Sequence, residues 1–329
     1  MDRRRFIGSS ASGLLAVPLV ARAQQSVKIP RIGYVSGTGS AADQGPYVEA
    51  LRQGLRDLGR IEGRNFSIEY RGAEGHLDRV PSIVDELVQL KVDVIVAPIA
   101  SAVRAAKQAT KTIPIVIVTG LDPVASGTVD SLARPGGNIT GVSTLTQDLN
   151  AKRLELLNEV VPRLSRVAVL WTPDNAVVTT YFMEYEAAAR ALKVQLQSLQ
   201  VGLDDPDVDG AFQAAANARA DALLTITNPS LFLRQKRIAD LALKMRLPTM
   251  FPGSAWVESG GLMSYSTNDL AAFRRAATYV DKILRGAKPA DLPVEQLSNF
   301  EFAINLKTAK AIGVTIPQSV LLRADKVIQ

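Results

Sequence analysis

The sequence contains no cysteine. Disulfides, thiolate metal sites and cysteine nucleophiles are therefore excluded, and no cysteine-borne lipid anchor is expected. Histidine is nearly as scarce, since His76 stands alone in 329 residues. Serine–histidine catalysis or a histidine-rich metal site would have to run through that one side chain. It lies in Gly75-His76-Leu77-Asp78 at an expected helix start, with no paired nucleophile or ligand set, and reads as a surface or capping residue. Aromatic residues make up only 5% of the chain. No dense run of Lys and Arg interleaves with them, so a nucleic-acid interface is not expected. Nor does any apolar run approach the roughly 20 residues that a membrane-spanning helix needs.

Hydrophobic residues, in contrast, account for 47% and charged residues for 21%. That balance fits a folded chain with one large core or two medium ones, and the length favours two domains. The formal net charge is +6. Removing the four arginines and one aspartate of residues 1–23 leaves 34 basic and 31 acidic residues, a mild +3. Those first residues resemble a twin-arginine export signal: Arg3-Arg4-Arg5-Phe6-Ile7, then a short, Gly- and Ser-diluted apolar stretch to Val20. Ala21-Arg22-Ala23 fits a small-x-small cleavage site, so the mature chain is expected to start near Gln24. The export route carries folded proteins, cofactor enzymes among them, and does not by itself define function.

From residue 31 onward, strand and helix patterns alternate. Arg31–Val35, Phe66–Tyr70, Val92–Ala97 and Ile113–Val118 read as strands, separated by helical spacing over Pro46–Leu58, Leu77–Leu90 and Ala102–Thr110. A turn-rich stretch, Arg134 to Val142, then breaks the pattern. A second series follows, with strands at Val167–Trp171, Val194–Leu199, Ala222–Ile226, Pro248–Phe251 and Gly261–Tyr265. Helices are expected at Ala151–Val161, Thr180–Leu192, Asp209–Arg219 and Leu231–Lys244. A long helix, Leu270–Leu284, a strand, Phe300–Asn305, a further helix and the Val314–Pro317 stretch complete the pattern. Repeated units of this length imply parallel sheets covered by helices on both faces. In such sheets ligands bind beyond the carboxyl ends of the strands, so the loops there are the candidate site.

Each of those loops admits two readings. Ser36-Gly37-Thr38-Gly39-Ser40-Ala41-Ala42 satisfies G-x-G-x-x-A, the dinucleotide fingerprint, with Glu69 at the end of the second strand. Pro46 delays the helix start, however, and without a helix N-terminus the glycines lose their purpose. The alternative is a ligand-facing loop through Ser36, Gly37 and Thr38. At Ile99-Ala100-Ser101 the free N–H groups of a helix start and the Ser101 hydroxyl suit a carboxylate, although Ser101 also fits a plain cap. Thr119-Gly120-Leu121-Asp122-Pro123 offers backbone contacts and a carboxylate for a ligand ammonium or hydroxyl, although Asp before Pro is a common cap. From the second half come Asn175, Asn228, Ser254 and Tyr265, with Asn228 before Pro229 again readable as a cap. Trp256 fits either a structural role or stacking on an aromatic ligand. The acidic pairs Asp204-Asp205 and Asp207-Asp209 read as a solvated turn rather than a metal site.

Asp122-Pro123-Val124 followed by Leu132-Ala133-Arg134-Pro135-Gly136-Gly137-Asn138-Ile139-Thr140-Gly141-Val142-Ser143 closely resembles the ABC-transporter substrate-binding proteins that include tryptophan-binding members. So does the tail from Phe300-Glu301-Phe302-Ala303-Ile304-Asn305 through Gly313-Val314-Thr315-Ile316-Pro317. The resemblance runs over roughly residues 31–325. It implies the α/β type I periplasmic-binding-protein fold: two doubly wound parallel-sheet lobes joined by a multi-strand hinge with three connections. Residues 31–143 with about 267–292 would form lobe 1, and 144–266 with about 293–329 would form lobe 2. The family's counterpart of Ile99-Ala100-Ser101 faces the ligand. The function implied is capture of an amino acid or small carboxylate, aromatic ones included, in the periplasm for delivery to an ABC permease. The expected protein is a soluble monomer without catalytic residues, metal or cofactor. Two rival readings are an exported NADP-dependent oxidoreductase and a sensory binding protein serving a membrane receptor.

Overall fold

The structure, a computed structural model, describes residues 29–120, 122–144, 149–173, 176–203, 205–226 and 228–329. The expected signal segment and Asn175 lie outside them. The first sheet contains β1 (Arg31–Ser36), β2 (Ser67–Gly72), β3 (Val94–Ala97), β4 (Ile115–Thr119), β5 (Ile139–Ser143) and β11 (Glu295–Gln296). Its order is β11, β5, β4, β3, β1, β2, and every pairing is parallel. The second sheet holds β6 (Arg166–Trp171), β7 (Gln195–Gln200), β8 (Ala222–Thr225), β9 (Thr249–Phe251), β10 (Met263–Thr267), β12 (Phe300–Asn305) and β13 (Lys326–Ile328). Its order is β13, β12, β10, β9, β8, β6, β7, and it is parallel except where β12 runs against β10.

Continuous apolar runs form these central strands because both faces are covered. Val94, Val96, Val116 and Val118 pack under α1 (Gly45–Asp57) and α10 (Asp269–Leu284). Their neighbours Ile95, Ala97, Ile115 and Ile117 point the other way, under α2 (Val80–Gln89) and α3 (Ala100–Ala109). In the second sheet Val167, Val169 and Trp171 face α4 (Leu149–Val160) and α5 (Ala176–Leu192). Ala168 and Leu170 face α6 (Val208–Asn217) and α8 (Gln235–Lys244). Each fully buried Val or Ile contributes about 1.5–3 kcal/mol from surface removed from water.

Several elements differ from the sequence pattern. The helix expected over Leu231–Lys244 is two, α7 (Pro229–Leu233) and α8, because the backbone at Arg234 (φ −101°, ψ 9°) leaves the helical region between them. α9 (Ser254–Glu258) occupies a stretch to which the pattern assigns no element, while α11 (Leu306–Ile312) is the helix expected after the last strand and is followed by the short α12 (Gln318–Leu321). β11 pairs with β5, so the last passage between sheets lies between Gln296 and Phe300 rather than near 293. The chain changes sheet three times: between β5 and α4, between β10 and α10, and between β11 and β12. None of the described helices is long and apolar enough to cross a membrane.

Candidate functional site

The carboxyl ends of β1, β3 and β4 open onto a cavity of about 320 Å³ that the second lobe covers. Ser36, Gly37, Thr38, Ala100, Ser101, Thr119, Gly120 and Asn228 all line it, which brings together candidates spread over 193 positions of sequence. Ser36 shapes the first loop, its hydroxyl accepting from the N–H groups of Thr38 (3.3 Å) and Gly39 (3.0 Å). Ala100 and Ser101 open α3, whose N-cap, Ile99, supplies no side-chain acceptor. The first turn's N–H groups are therefore left to whatever enters the cavity. The Ser101 hydroxyl is buried and has no hydrogen-bond partner. Such a group costs about 1–3 kcal/mol unless something bonds to it.

Two glycines explain the loop after β1. A Cβ on Gly37 would sit 2.6 Å from Pro229 Cγ, across the cleft, so this position lets α7 come down onto the first lobe. A Cβ on Gly39 would fall 1.9 Å from the Tyr70 hydroxyl. Both glycines thus serve close packing. α1 begins only at Gly45, so no helix N-terminus faces them as a dinucleotide phosphate would require. Glu69 lies 3.7 Å from Arg71. The second lobe closes the cavity through α7 and α5: Phe232 of α7 approaches Tyr47 with ring centroids 6.5 Å apart, and the Tyr181 hydroxyl of α5 donates to the Gly120 carbonyl at 3.4 Å.

Asn228 lines the cavity while its amide is occupied within the second lobe. Its Oδ1 accepts from the Leu231 N–H (2.9 Å) as the α7 cap, and its Nδ2 donates to the Thr172 hydroxyl. Asp122 does not line the cavity; its carboxylate accepts from the N–H groups of Val124 (2.8 Å) and Ala125 (3.1 Å) and caps a turn. Tyr265 is also outside, because β10 runs two residues further than expected and turns its ring onto Phe300 and Phe302. The residue that reaches the cavity from that strand is Thr267. Ser254, at the start of α9, lines a neighbouring cavity of about 220 Å³. Trp256 is 1% exposed, stacked on Phe251 and edge-on to Phe232, so it supports the wall rather than forming a platform.

His76 is exposed at the N-cap of a single 3-10 turn. Asp207 caps α6, while Asp205 and Asp209 pair with Arg234 and Arg237. Among the described residues no group of three or more His, Cys, Asp or Glu is arranged to hold a metal.

Sequence reasoning missed part of the wall. Tyr47 stands one residue after Pro46 in the first turn of α1, and Phe273 stacks on it at 4.9 Å. Asp269 and Phe273 are four residues apart on α10, a spacing that places both on one face. Burial pushes the Tyr34 and Tyr47 hydroxyls upward, so both stay protonated and able to donate. Burial also pushes the Asp269 carboxyl up to about 6, with Glu301 adding to the rise and Thr267 and Arg153 opposing it.

Comparisons with known proteins agree with this architecture. A family model described as ABC transporter substrate binding protein matches residues 39–328. A tyrosine-binding protein of Clostridioides difficile is 26% identical over 261 residues, covering 79% of this chain and 74% of the relative. A conserved domain protein of Vibrio cholerae superposes with a TM-score of 0.82 at 27% identity, over 91% of this chain and all of that one. An ABC domain from Streptococcus pneumoniae, solved in complex with L-Trp, gives 0.78 at 25% identity over 90% of this chain and all of that one. The two wound sheets, the cleft at their strand ends and the family match lead to one conclusion: this chain belongs to the ABC transporter substrate-binding proteins.

Proposed function

We propose that the protein captures an amino acid or small carboxylate, aromatic ones included, between its lobes. It then delivers that molecule, chemically unchanged, to an ABC permease. The observation that carries this reading is the buried, unpartnered Ser101 hydroxyl beside the open N-terminus of α3, inside a cavity that both lobes enclose. A carboxylate there would take the hydroxyl and the free N–H groups as donors, while the ligand's apolar part would be buried against Tyr47, Phe232 and Phe273. Closure would shift an existing open–closed equilibrium, since the ligand gains contacts from α7 only when the lobes meet. The tyrosine-binding relative and the L-Trp complex support an amino-acid ligand. Export through the twin-arginine route, a periplasmic location and a monomeric state are part of the same reading.

A thermal-shift screen over amino acids, aromatic acids and small carboxylates tests it. A ligand at a hundredfold excess over Kd stabilises the protein by about 2.7 kcal/mol. Protection by NADP alone, or recovery of the ligand in altered form, would overturn the proposal.

A further inference from the structure

The mild positive balance of the sequence is scattered along the chain, but the fold gathers part of it at one place. Arg163, Lys193, Arg219 and Arg246 follow α4, α5, α6 and α8 and lead into β6, β7, β8 and β9. Those four strands are parallel neighbours in the order β9, β8, β6, β7, and their opening residues are aligned. Neighbouring strands lie about 4.8 Å apart, so the four leading turns fall within roughly 15 Å of one another. They form the pole of the second lobe at the amino ends of its strands. The cavities lie at the opposite, carboxyl ends, where α7 and α9 follow β8 and β9.

All four residues have φ between 52° and 59°, a left-handed region that side chains seldom adopt and glycine takes freely. In the first lobe α1 and α10 are followed there by Gly59 and Gly286, and they meet the helix dipole with Arg56 and Lys282 in their last turns. Among the described helices of that lobe only α2 is followed by a basic residue in this conformation, Lys91. Turn geometry and helix dipole therefore do not account for four cations at one pole. Their side chains are exposed, and none forms a hydrogen bond or ion pair among the described residues. Arg166 and Lys244 raise the basic residues of these turns to six, against one acid, Asp221. That acid is occupied, since its Oδ2 accepts from the N–H groups of Ser165 (2.9 Å) and Arg166 (2.8 Å) and from the Ser165 hydroxyl (2.8 Å). Apolar side chains stand among the cations: Leu243 and Met245, 38% and 36% exposed, alternate with Lys244 and Arg246.

We propose that this pole docks on an anionic lipid surface and leaves the cleft clear of the lipid. Lipid phosphates meet the unpaired Lys and Arg heads, whose aliphatic stems lie along the surface, while Leu243 and Met245 enter the headgroup boundary. A soluble polyanion would use the charges alone, so the interleaved apolar pair favours lipid. Docking of this kind holds whatever solute the cleft takes, and it does not rest on the proposed function.

Co-sedimentation of the mature chain with vesicles tests the proposal. The probes are vesicles of phosphatidylcholine alone and of phosphatidylcholine with about a third phosphatidylglycerol, at low and at physiological ionic strength (about 0.15 M). Binding should require phosphatidylglycerol and weaken with salt. Each basic residue at such a surface contributes about fivefold, so Arg163→Gly, Lys193→Gly, Arg219→Gly and Arg246→Gly together should lower partitioning by about 100-fold or more. Glycine suits all four backbone conformations, so the melting temperature of this variant should not fall. A control with Arg64→Gln, Lys91→Gly, Arg104→Gln and Lys111→Gln removes the same charge from the exposed surface of the first lobe and should bind almost as well as the native chain. Leu243→Ser with Met245→Ser should weaken the binding that remains at physiological ionic strength, yet leave binding to heparin, a polyanion with no apolar layer, unchanged. Equal vesicle binding by the native and glycine-substituted chains, or an equal loss in the control, would overturn the proposal. So would binding to heparin with none to phosphatidylglycerol vesicles, which would give the pole to a soluble polyanion or an acidic protein instead.

Discussion

The two lobes meet the cleft in different ways. The first presents strand ends with unused donors: the open start of α3 and the unpaired Ser101 hydroxyl. The second presents side chains already committed to itself, as Asn228 shows by capping α7 and bonding Thr172. Its contribution is shape, with Pro229 descending onto Gly37 and Phe232 onto Tyr47. On the proposed reading, one lobe would supply polar recognition before closure and the other the lid. Affinity should depend on chemistry in the first lobe and on fit in the second.

The largest expected effect tests the fit. Gly37→Val places methyl groups where Pro229 must come, and overpacking of this kind costs about 1–3 kcal/mol. Affinity for the ligand found by screening should fall by up to about 100-fold, and small-angle scattering should show a more open molecule, with the melting temperature little changed. Ser101→Ala removes a donor to a charged group, worth about 1.5–3 kcal/mol. It should weaken binding about tenfold or more by titration calorimetry, yet leave the free protein as stable or more so, because the buried hydroxyl has no partner to lose. Asn228→Ala should act the other way round. Loss of the cap should lower stability by about 1 kcal/mol in urea unfolding and affinity only a few-fold. If Asn228→Ala costs more affinity than Ser101→Ala, the division between a recognising lobe and a covering lobe is broken. The smallest effect is expected from Asp122→Ala, with affinity unchanged within about twofold and a loss of about 0.5 kcal/mol or more from the turn it caps.

Much of this was legible from sequence where two-sided burial writes a continuous apolar run, as at Val94–Ala97 and Ile115–Thr119. The loops after those strands could then be named as cleft residues. Elements that write no such run were missed: β11 has two residues, β13 is a three-residue edge strand, and α9 spans little more than one turn. Within the site, the apolar pattern ends its strand at Tyr265, two residues short of the end of β10, and so presents a ring packed against the core as a strand-end residue. Asp269 carried no local signal, because Asn268-Asp269 reads as an ordinary helix start and Asn268 does cap α10. Only the passage of the chain back to the first lobe at that point brings the carboxylate to the cleft.

The return of α10 to the first lobe also governs the order in which the molecule can be completed. Ala272, Ala276, Ala277 and Val280 of α10 form the cover over Ile32, Val48 and Leu51. A nascent chain that has emerged only as far as β10 holds five strands of the first sheet with one apolar face covered by α1 alone. Neither half can be cut out as a gene fragment and be whole, and a stalled or truncated product should be a target for chaperones rather than a working half-molecule.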